Sequence, residues 1–289
     1  MIFLTGGRGL LGSTLAERLS LAHLPYLASA TRGPAQPPFT LCDLQKPETY
    51  PSGDVRWDMA VHCATQLEGP GIYDGNMLMT RNVIDFCKQR GIRKMIFVSS
   101  SNAASPLQDE YSRSKRDSEN LVKESGLETV IIRPTIIFSD RDTKNINQMM
   151  RLLKRFHVAL IPGSGRHRVQ PVAVEDVAEL ILKCVRNWDS SKNAAYDIGG
   201  GETLTYKEMI SRMARALSTF YIPVYIPMPI LYMMADAVST LTGSRAFTRD
   251  AFRSFVTEKL MDNRPIEEKF GLRPRPLSEW LAEIKRRRR

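Results

Sequence analysis

Tyr111 and Lys115 stand four residues apart in the stretch YSRSK. A phenol can give or take a proton and an ammonium is a cation. On a helix, positions i and i+4 lie on one face a turn apart, so both would point the same way. Such a pair either works on one substrate or decorates an exposed helical surface, and the spacing alone does not choose. A second cluster carries more specific chemistry. TGGRGLLG, Thr5 to Gly12, satisfies both G-x-G-x-x-G through Gly7, Gly9 and Gly12, and T-G-x-x-G-x-x-G through Thr5, Gly6, Gly9 and Gly12. Residues without a Cβ let the backbone approach a pyrophosphate, whose charge is met by free N–H groups and the positive end of the next helix. The loop, with Arg8, Leu10 and Leu11 inside it, is therefore a candidate dinucleotide site, the alternative being a purely structural turn. About twenty residues on, where an NAD site would place a carboxylate for the adenine ribose, the chain has Thr31 and Arg32. Arg32 with Arg8 suits a 2′-phosphate, since a guanidinium offers forked donors to phosphate oxygens. NADP(H) is expected in preference to NAD, against two merely solvated arginines.

These residues need elements to hold them. Short apolar runs alternate with helical patterns: MIFLT, a helix from about Leu10 to Leu21, PYLASA, FTLCDL, MAVHCA, a helix from about Ile72 to Gln89, KMIFVSS, a helix through YSRSKRDSENLVKES, then TVIIRP. Nearly all-apolar strands alternating with helices, without hairpin turns, predict an α/β fold: a Rossmann-type doubly wound parallel sheet covered on both faces. VQPVAVEDVAELILKCV and AAYDIGGG return the chain to that sheet. The expected division is a dinucleotide-binding lobe of residues 1–138 and 168–200 and a smaller, mostly helical C-terminal substrate lobe of residues 139–167 and 201–289. Asp43 and Leu44 fall where the third strand ends, close to an adenine in such a fold.

Composition narrows the classes. A chain of 289 residues with 43% hydrophobic and 25% charged residues has ordinary globular values. The net charge of +10 permits an anionic partner. No zinc spacing, RNP motif or aromatic-basic stripe accompanies it, so nucleic acid is not expected. The four cysteines, Cys42, Cys63, Cys87 and Cys184, form no C-x-x-C pair and read as reduced thiols of a cytoplasmic protein. With four histidines, none spaced as a ligand set, no metal is expected. The chain enters a strand at once, and no signal peptide is expected. FYIPVYIPMPILYMM, Phe220 to Met234, is too short and too interrupted by Pro223, Pro227 and Pro229 to span a bilayer. Its Met- and Pro-rich part, Pro223 to Met234, is expected to be core of the small lobe ahead of a pocket lining, with a membrane surface third, so membrane contact is not the expectation. KRRRR, Lys285 to Arg289, is expected to cap the negative end of a last helix beginning near Ser278.

The segments TGGRGLLG, CDL, HCAT, NMLMTRN, FVSSS, YSRSK, IIRPTIIF and VAVEDVAELI occur in that order. With them the chain resembles the extended or atypical short-chain dehydrogenase/reductases of the NAD(P)-dependent epimerase/dehydratase type. YDIGGGETLTYKEM and FGLRPRPLSEWL are similar to that family's C-terminal lobe, so the resemblance covers nearly the whole chain. The most similar branch holds the NADPH-binding accessory subunit of respiratory complex I and isoflavone-reductase-like proteins. The resemblance implies that Tyr111 exchanges a proton with the substrate oxygen, that Lys115 bonds the nicotinamide ribose, and that Ser101 or Ser100 positions the substrate. It places Cys63, Ala64, Thr65 and Ser99 along the cofactor, and Pro134 and Thr135 near the nicotinamide. A free tyrosine titrates near 10, so work as a base near neutrality asks for a shift of roughly three units, about 4 kcal/mol. A cationic Lys115 one turn away, joined by an oxidised nicotinamide, has the required sign.

The function this implies is hydride transfer to or from a carbonyl or alcohol of a small molecule, extending to nucleotide-sugar epimerase or dehydratase chemistry, by a monomer or homodimer. Nine residues separate Ser101 from Tyr111, fewer than sugar-nucleotide epimerases carry there. That shortening leaves a second reading, a non-catalytic NADP(H)-binding sensor or assembly factor. A third, a membrane-associated quinone-type reductase, rests on the basic tail and the apolar run near Pro227. Structural roles are expected for His62, a strand-end residue beside the cofactor, and for Asn82, bracing the backbone near Ser99 or bonding within the core. Arg166, His167, Arg168 and Gln170 face the cleft in such a fold, as an anion-holding group or a solvated basic loop. Asp176 is expected to cap or open a helix.

Overall fold

The computed structural model describes residues 1–142, 145–242 and 249–287. Seven strands, β1 (Ile2–Thr5), β2 (Tyr26–Ala30), β3 (Phe39–Leu41), β4 (Met59–His62), β5 (Lys94–Val98), β6 (Glu128–Pro134) and β7 (Ala194–Ile198), form one sheet in the order 7-6-5-4-1-2-3. Every pairing is parallel. β1 and β4 are buried at each residue, which is why IFLT and MAVH show no alternation: both faces are covered. Ile2, Leu4, Met59, Val61, Ile96 and Val98 meet helices α1 (Leu10–Leu21) and α4 (Val174–Arg186) on one side. Phe3, Ala60, Met95 and Phe97 meet α2 (Ile72–Gln89) and α3 (Glu110–Lys123) on the other. The doubly wound parallel sheet predicted from the sequence is thus present. Its third strand is shorter than expected, with Cys42 to Leu44 already turning away.

A second apolar cluster joins Phe138, Ile146, Ile161, Met209, Met213 and Trp280. It is built by the helices Asn145–Phe156, Tyr206–Ala216 and Leu277–Arg286 and by the strand Val158–Pro162, with which Ile222–Ile226 pairs in parallel. Trp280 Nε1 donates to Asp140 at 2.6 Å, tying the last helix to the segment after β6. Lys285 and Arg286 close that helix and Arg287 pairs with Asp140; Arg288 and Arg289 lie outside the described residues.

The run from Pro223 to Met234 departs from expectation. It is not core: Leu231 is its one buried residue, and Val224, Tyr225, Ile230, Met233 and Met234 are exposed. In the two-stranded sheet, Val158–Pro162 is covered on one face only and Ile222–Ile226 is exposed on both, and Pro223, having no N–H to donate, suits an edge. Among the described residues no helix is long and apolar enough to cross a membrane.

Candidate active site

Strand order reverses between β1 and β4, and at such a point the loops leaving the carboxyl ends part to opposite faces and leave a crevice. A cleft of about 940 Å³ opens there. Its floor is the glycine loop. Gly6 holds φ at 70°, and a Cβ on it would lie 2.9 Å from the Ala64 backbone; a Cβ on Gly12 would lie 2.1 Å from the Gly6 carbonyl oxygen. Only glycine lets the loop fold back this tightly. α1 begins with Gly9 as its cap, no side chain accepts from its first turn, and no acid stands there. The positive end of the helix therefore meets the cleft uncompensated, which fits the pyrophosphate of a dinucleotide.

Gly6, Arg8, Gly9, Leu10, Leu11 and Gly12 line the cleft, whereas Thr5 and Gly7 are not among its lining residues. Thr5 Oγ1 instead bonds His62 Nδ1 at 2.6 Å and accepts from Ala64 N at 3.2 Å, clamping the ends of β1 and β4 together. Gly7 packs on Ala28 and donates to the Ser29 carbonyl at 2.9 Å. Thr31 and Arg32 leave β2 into the cleft beside Arg8. The Arg8 guanidinium sits 4.8 Å from the Phe39 ring centroid and donates to Pro34 O at 2.9 Å. Asp43 and Leu44 line the next stretch of wall, followed by Cys63, Ala64 and Thr65 from the end of β4. Asn76 of α2 fixes that last loop, accepting from Gln66 N at 2.8 Å and donating to Gln66 O at 3.1 Å.

Ser99, Ser100 and Ser101 after β5, Tyr111 and Lys115 on α3, and Pro134 and Thr135 at the end of β6 complete the same cleft. Asp109 starts α3 by accepting from Ser112 N at 2.9 Å, which sets Tyr111 in the first turn and Lys115 one turn on. The short segment before it is held against α3 by Arg116, whose side chain donates to the carbonyls of Ala103, Ser105 and Leu107. Lys115 is buried. Its Nζ donates to Val98 O at 2.9 Å and lies 6.0 Å from the Tyr111 ring centroid, and burial pulls it down to about 8. Burial pushes the Tyr111 phenol up to about 12, with the Ser100 hydroxyl acting the other way and Asp109 adding to the rise. This is opposite in sign to the lowering that base catalysis asks for, because desolvating the phenolate outweighs the neighbouring dipoles. In this arrangement the protonated phenol is the favoured form of Tyr111.

Beneath these groups lies a buried network that sequence reasoning did not identify. Glu119, two turns beyond Tyr111 on the same stripe of α3, accepts from Ser99 Oγ at 2.6 Å and from Arg133 Nε and Nη2 at 2.7 and 2.6 Å. Burial alone would raise its carboxyl, but these donors hold it below its ordinary value. The network ties the ends of β5 and β6 to α3. Asn82 does not reach the backbone near Ser99; it plays a structural part, donating to the carbonyl of buried Leu44 at 2.9 Å. His62 is buried and braces Thr5 rather than lining the cleft; burial pulls it down to about 3, so it is neutral. Asp176, in the first turn of α4, accepts from Arg275 N at 2.7 Å.

The far wall is Arg168, Gln170, Tyr206 and Met209 with Ser254, Thr257 and Lys259. Arg168 meets Glu258 at 2.8–2.9 Å through its backbone and guanidinium, and Gln170 exchanges hydrogen bonds with Met261, so residues near 258–261 are fastened across the cleft. Arg166 stays exposed and His167 stacks on Tyr206. Lys259 donates to Ser254 O and Oγ at 2.7 and 3.0 Å, and burial pulls it down to about 8. No spacing in EKLMDN signals it. Among the described residues no group of three or more His, Cys, Asp or Glu could hold a metal.

Residues 2–199 match the NAD dependent epimerase/dehydratase family. UDP-glucose 4-epimerase of Vibrio cholerae is 25% identical over 281 residues, 84% of this chain and 85% of that protein. NADH dehydrogenase (ubiquinone) 1 alpha subcomplex subunit 9, mitochondrial, of Arabidopsis thaliana is 24% identical over 203 residues, 67% of this chain and 50% of that protein, so the match spans half of that relative's length. Among solved structures, MoeE5 in complex with UDP-glucose and NAD superposes with a TM-score of 0.76 at 19% identity, covering 99% of both chains; at that identity the likeness concerns the fold.

Proposed function

The chain belongs to the NAD dependent epimerase/dehydratase family, and from that premise we propose that it is an NADP(H)-dependent oxidoreductase that transfers hydride to or from a carbonyl or alcohol. The observation that carries this reading is the convergence of the glycine loop, Arg8 and Arg32, Ser100 and Ser101, and Tyr111 with Lys115 on one cleft at the strand-order reversal. A bound nicotinamide nucleotide supplies the hydride. Gly6, Gly9 and the first turn of α1 receive its pyrophosphate. Arg8 and Arg32 receive a 2′-phosphate in a place where no acid follows β2. Residues 63–65 and 134–135 flank the rest of the nucleotide. Ser100 or Ser101 aligns the carbonyl oxygen, and Tyr111, a phenol that keeps its proton in this site, delivers that proton as the alkoxide develops. Lys115 stands below with its ammonium toward the same helix face and bonds the ribose. In the reverse sense Tyr111 takes the proton of an alcohol as its hydride passes to the oxidised nucleotide.

Residues 1–138 and 168–200 hold the nucleotide in this reading, and 139–167 with 201–289 hold the substrate. The four cysteines are free thiols, the state kept in a reducing compartment, and we place the protein in the cytoplasm. The test is a carbonyl-substrate panel with NADPH, comparing wild type with Tyr111→Phe. Tyr111-dependent NADPH oxidation is expected; turnover on any substrate that Tyr111→Phe leaves unchanged would remove Tyr111 from the mechanism. Nucleotide binding without turnover would favour the sensor reading.

A further inference from the structure

Among the described residues fourteen large apolar side chains are exposed, and ten of them lie between Leu152 and Met234. They are grouped. The strands Val158–Pro162 and Ile222–Ile226 run parallel with Leu160 opposite Val224, and registered partners share a face of the sheet. Ala159 and Ile161 point into the core, while Leu160 is 59% exposed. Ile222, two residues before Val224 and thus on the same outer face, is 58% exposed. The face continues at one end, where Phe220, 69% exposed, stacks on His157 with ring centroids 4.5 Å apart, beside Phe156. A contiguous apolar face of this kind marks a contact surface.

The charges beside the face select its partner. The helix Asn145–Phe156 ends there with Arg151, Lys154 and Arg155 exposed, and the Arg155 guanidinium sits 5.4 Å from the Phe156 ring centroid. Neither segment that builds the face carries a carboxylate: none occurs between Asp142 and Glu175, or between Glu208 and Asp236. A two-fold contact between copies would set the same patch against itself, with Lys154 and Arg155 brought up against their own counterparts. An anionic bilayer surface matches both features, since its headgroups meet the cations and its acyl boundary takes Phe156, Leu160, Phe220 and Ile222. We infer that this face docks the protein peripherally on membranes containing anionic lipid. The docking needs no spanning segment and stands apart from the cleft chemistry.

The test is co-flotation of the full chain with vesicles of phosphatidylcholine alone and with vesicles carrying roughly 30% phosphatidylserine, at low and high salt. The protein is expected to float with the anionic vesicles at low salt, to stay behind with the neutral ones, and to be released by salt. Phe156→Ser with Phe220→Ser should weaken binding by about tenfold or more. Arg151→Gln, Lys154→Gln and Arg155→Gln together should weaken it by roughly a hundredfold. All five side chains are exposed, so unchanged melting of both variants separates lost docking from lost folding. Failure to float with anionic vesicles at low salt overturns the inference. So does flotation that the phenylalanine substitutions leave unchanged, which traces to the net charge of +10 alone. A dimer in sedimentation velocity that those substitutions dissociate overturns it too, because a second copy then covers the face.

Discussion

Replacing Glu119 by glutamine tests whether the site stands on the buried network beneath it. The carboxylate is 4% exposed and Arg133 20% exposed, and three short hydrogen bonds from Ser99 and Arg133 converge on it. In Glu119→Gln the new amide N–H group faces guanidinium donors, and among the described residues the Arg133 charge keeps Asp197 alone, at 3.5 Å. Breaking a buried pair by removing one partner costs about 3–5 kcal/mol. The partial exposure of Arg133 and its second carboxylate put the expected loss at the low end, about 3 kcal/mol. That corresponds to a fall in melting temperature on the order of 5 °C or more. Urea unfolding of both proteins at neutral pH measures it directly. The hydrogen bonds hold the Glu119 carboxyl below its ordinary value of 4.5. Its contribution is therefore present above that pH and is lost as pH falls through the lowered value. Wild type and Glu119→Gln should converge in stability in acid. A variant within about 1 kcal/mol of wild type at neutral pH, well under the cost of breaking a buried pair, would refute the reasoning. So would a gap that did not close in acid.

Gly12→Ala should abolish nucleotide binding and cost about 1–3 kcal/mol of stability, because the added Cβ would lie 2.1 Å from the Gly6 oxygen; calorimetry that finds NADPH affinity intact would contradict this. Arg32→Ala should lower the ratio of NADPH to NADH affinity by about tenfold or more, and an unchanged ratio would count against the 2′-phosphate assignment. His62 is held neutral by burial, at about 3 against an ordinary 6.5. Its stabilisation is full above 6.5 and is lost as pH falls toward 3. His62→Gln should accordingly flatten the stability profile between those values by about 1.4 kcal/mol per pH unit, read from urea midpoints across that range.

What was legible in the sequence was local. The glycine loop and the Tyr111–Lys115 spacing are contiguous, and their geometry follows from a strand, a turn and a helix whose patterns stand out. The buried strands could be read because a sheet covered on both faces leaves no alternation. What could not be read depends on which distant segments meet. Glu119 and Arg133 are fourteen residues apart and become partners only when α3 lies across β6. Lys259 reaches the cleft because Arg168 and Gln170 fasten the neighbouring residues across it. Asn82 serves Leu44 because α2 runs beside the turn after β3. The run Pro223 to Met234 reads as core in the sequence because hydrophobicity reports a preference for burial, not whether the fold supplies a cover. The sign of the Tyr111 shift was also out of reach, since it depends on how far the phenol is desolvated.

The most direct test of the account is a calorimetric titration of the purified protein with NADPH and with NADH. Saturable binding of one nucleotide per chain is predicted, tighter for NADPH and absent in Gly12→Ala. A folded wild-type protein that takes up neither nucleotide would contradict the assignment of the cleft, and with it the chemistry placed on Tyr111.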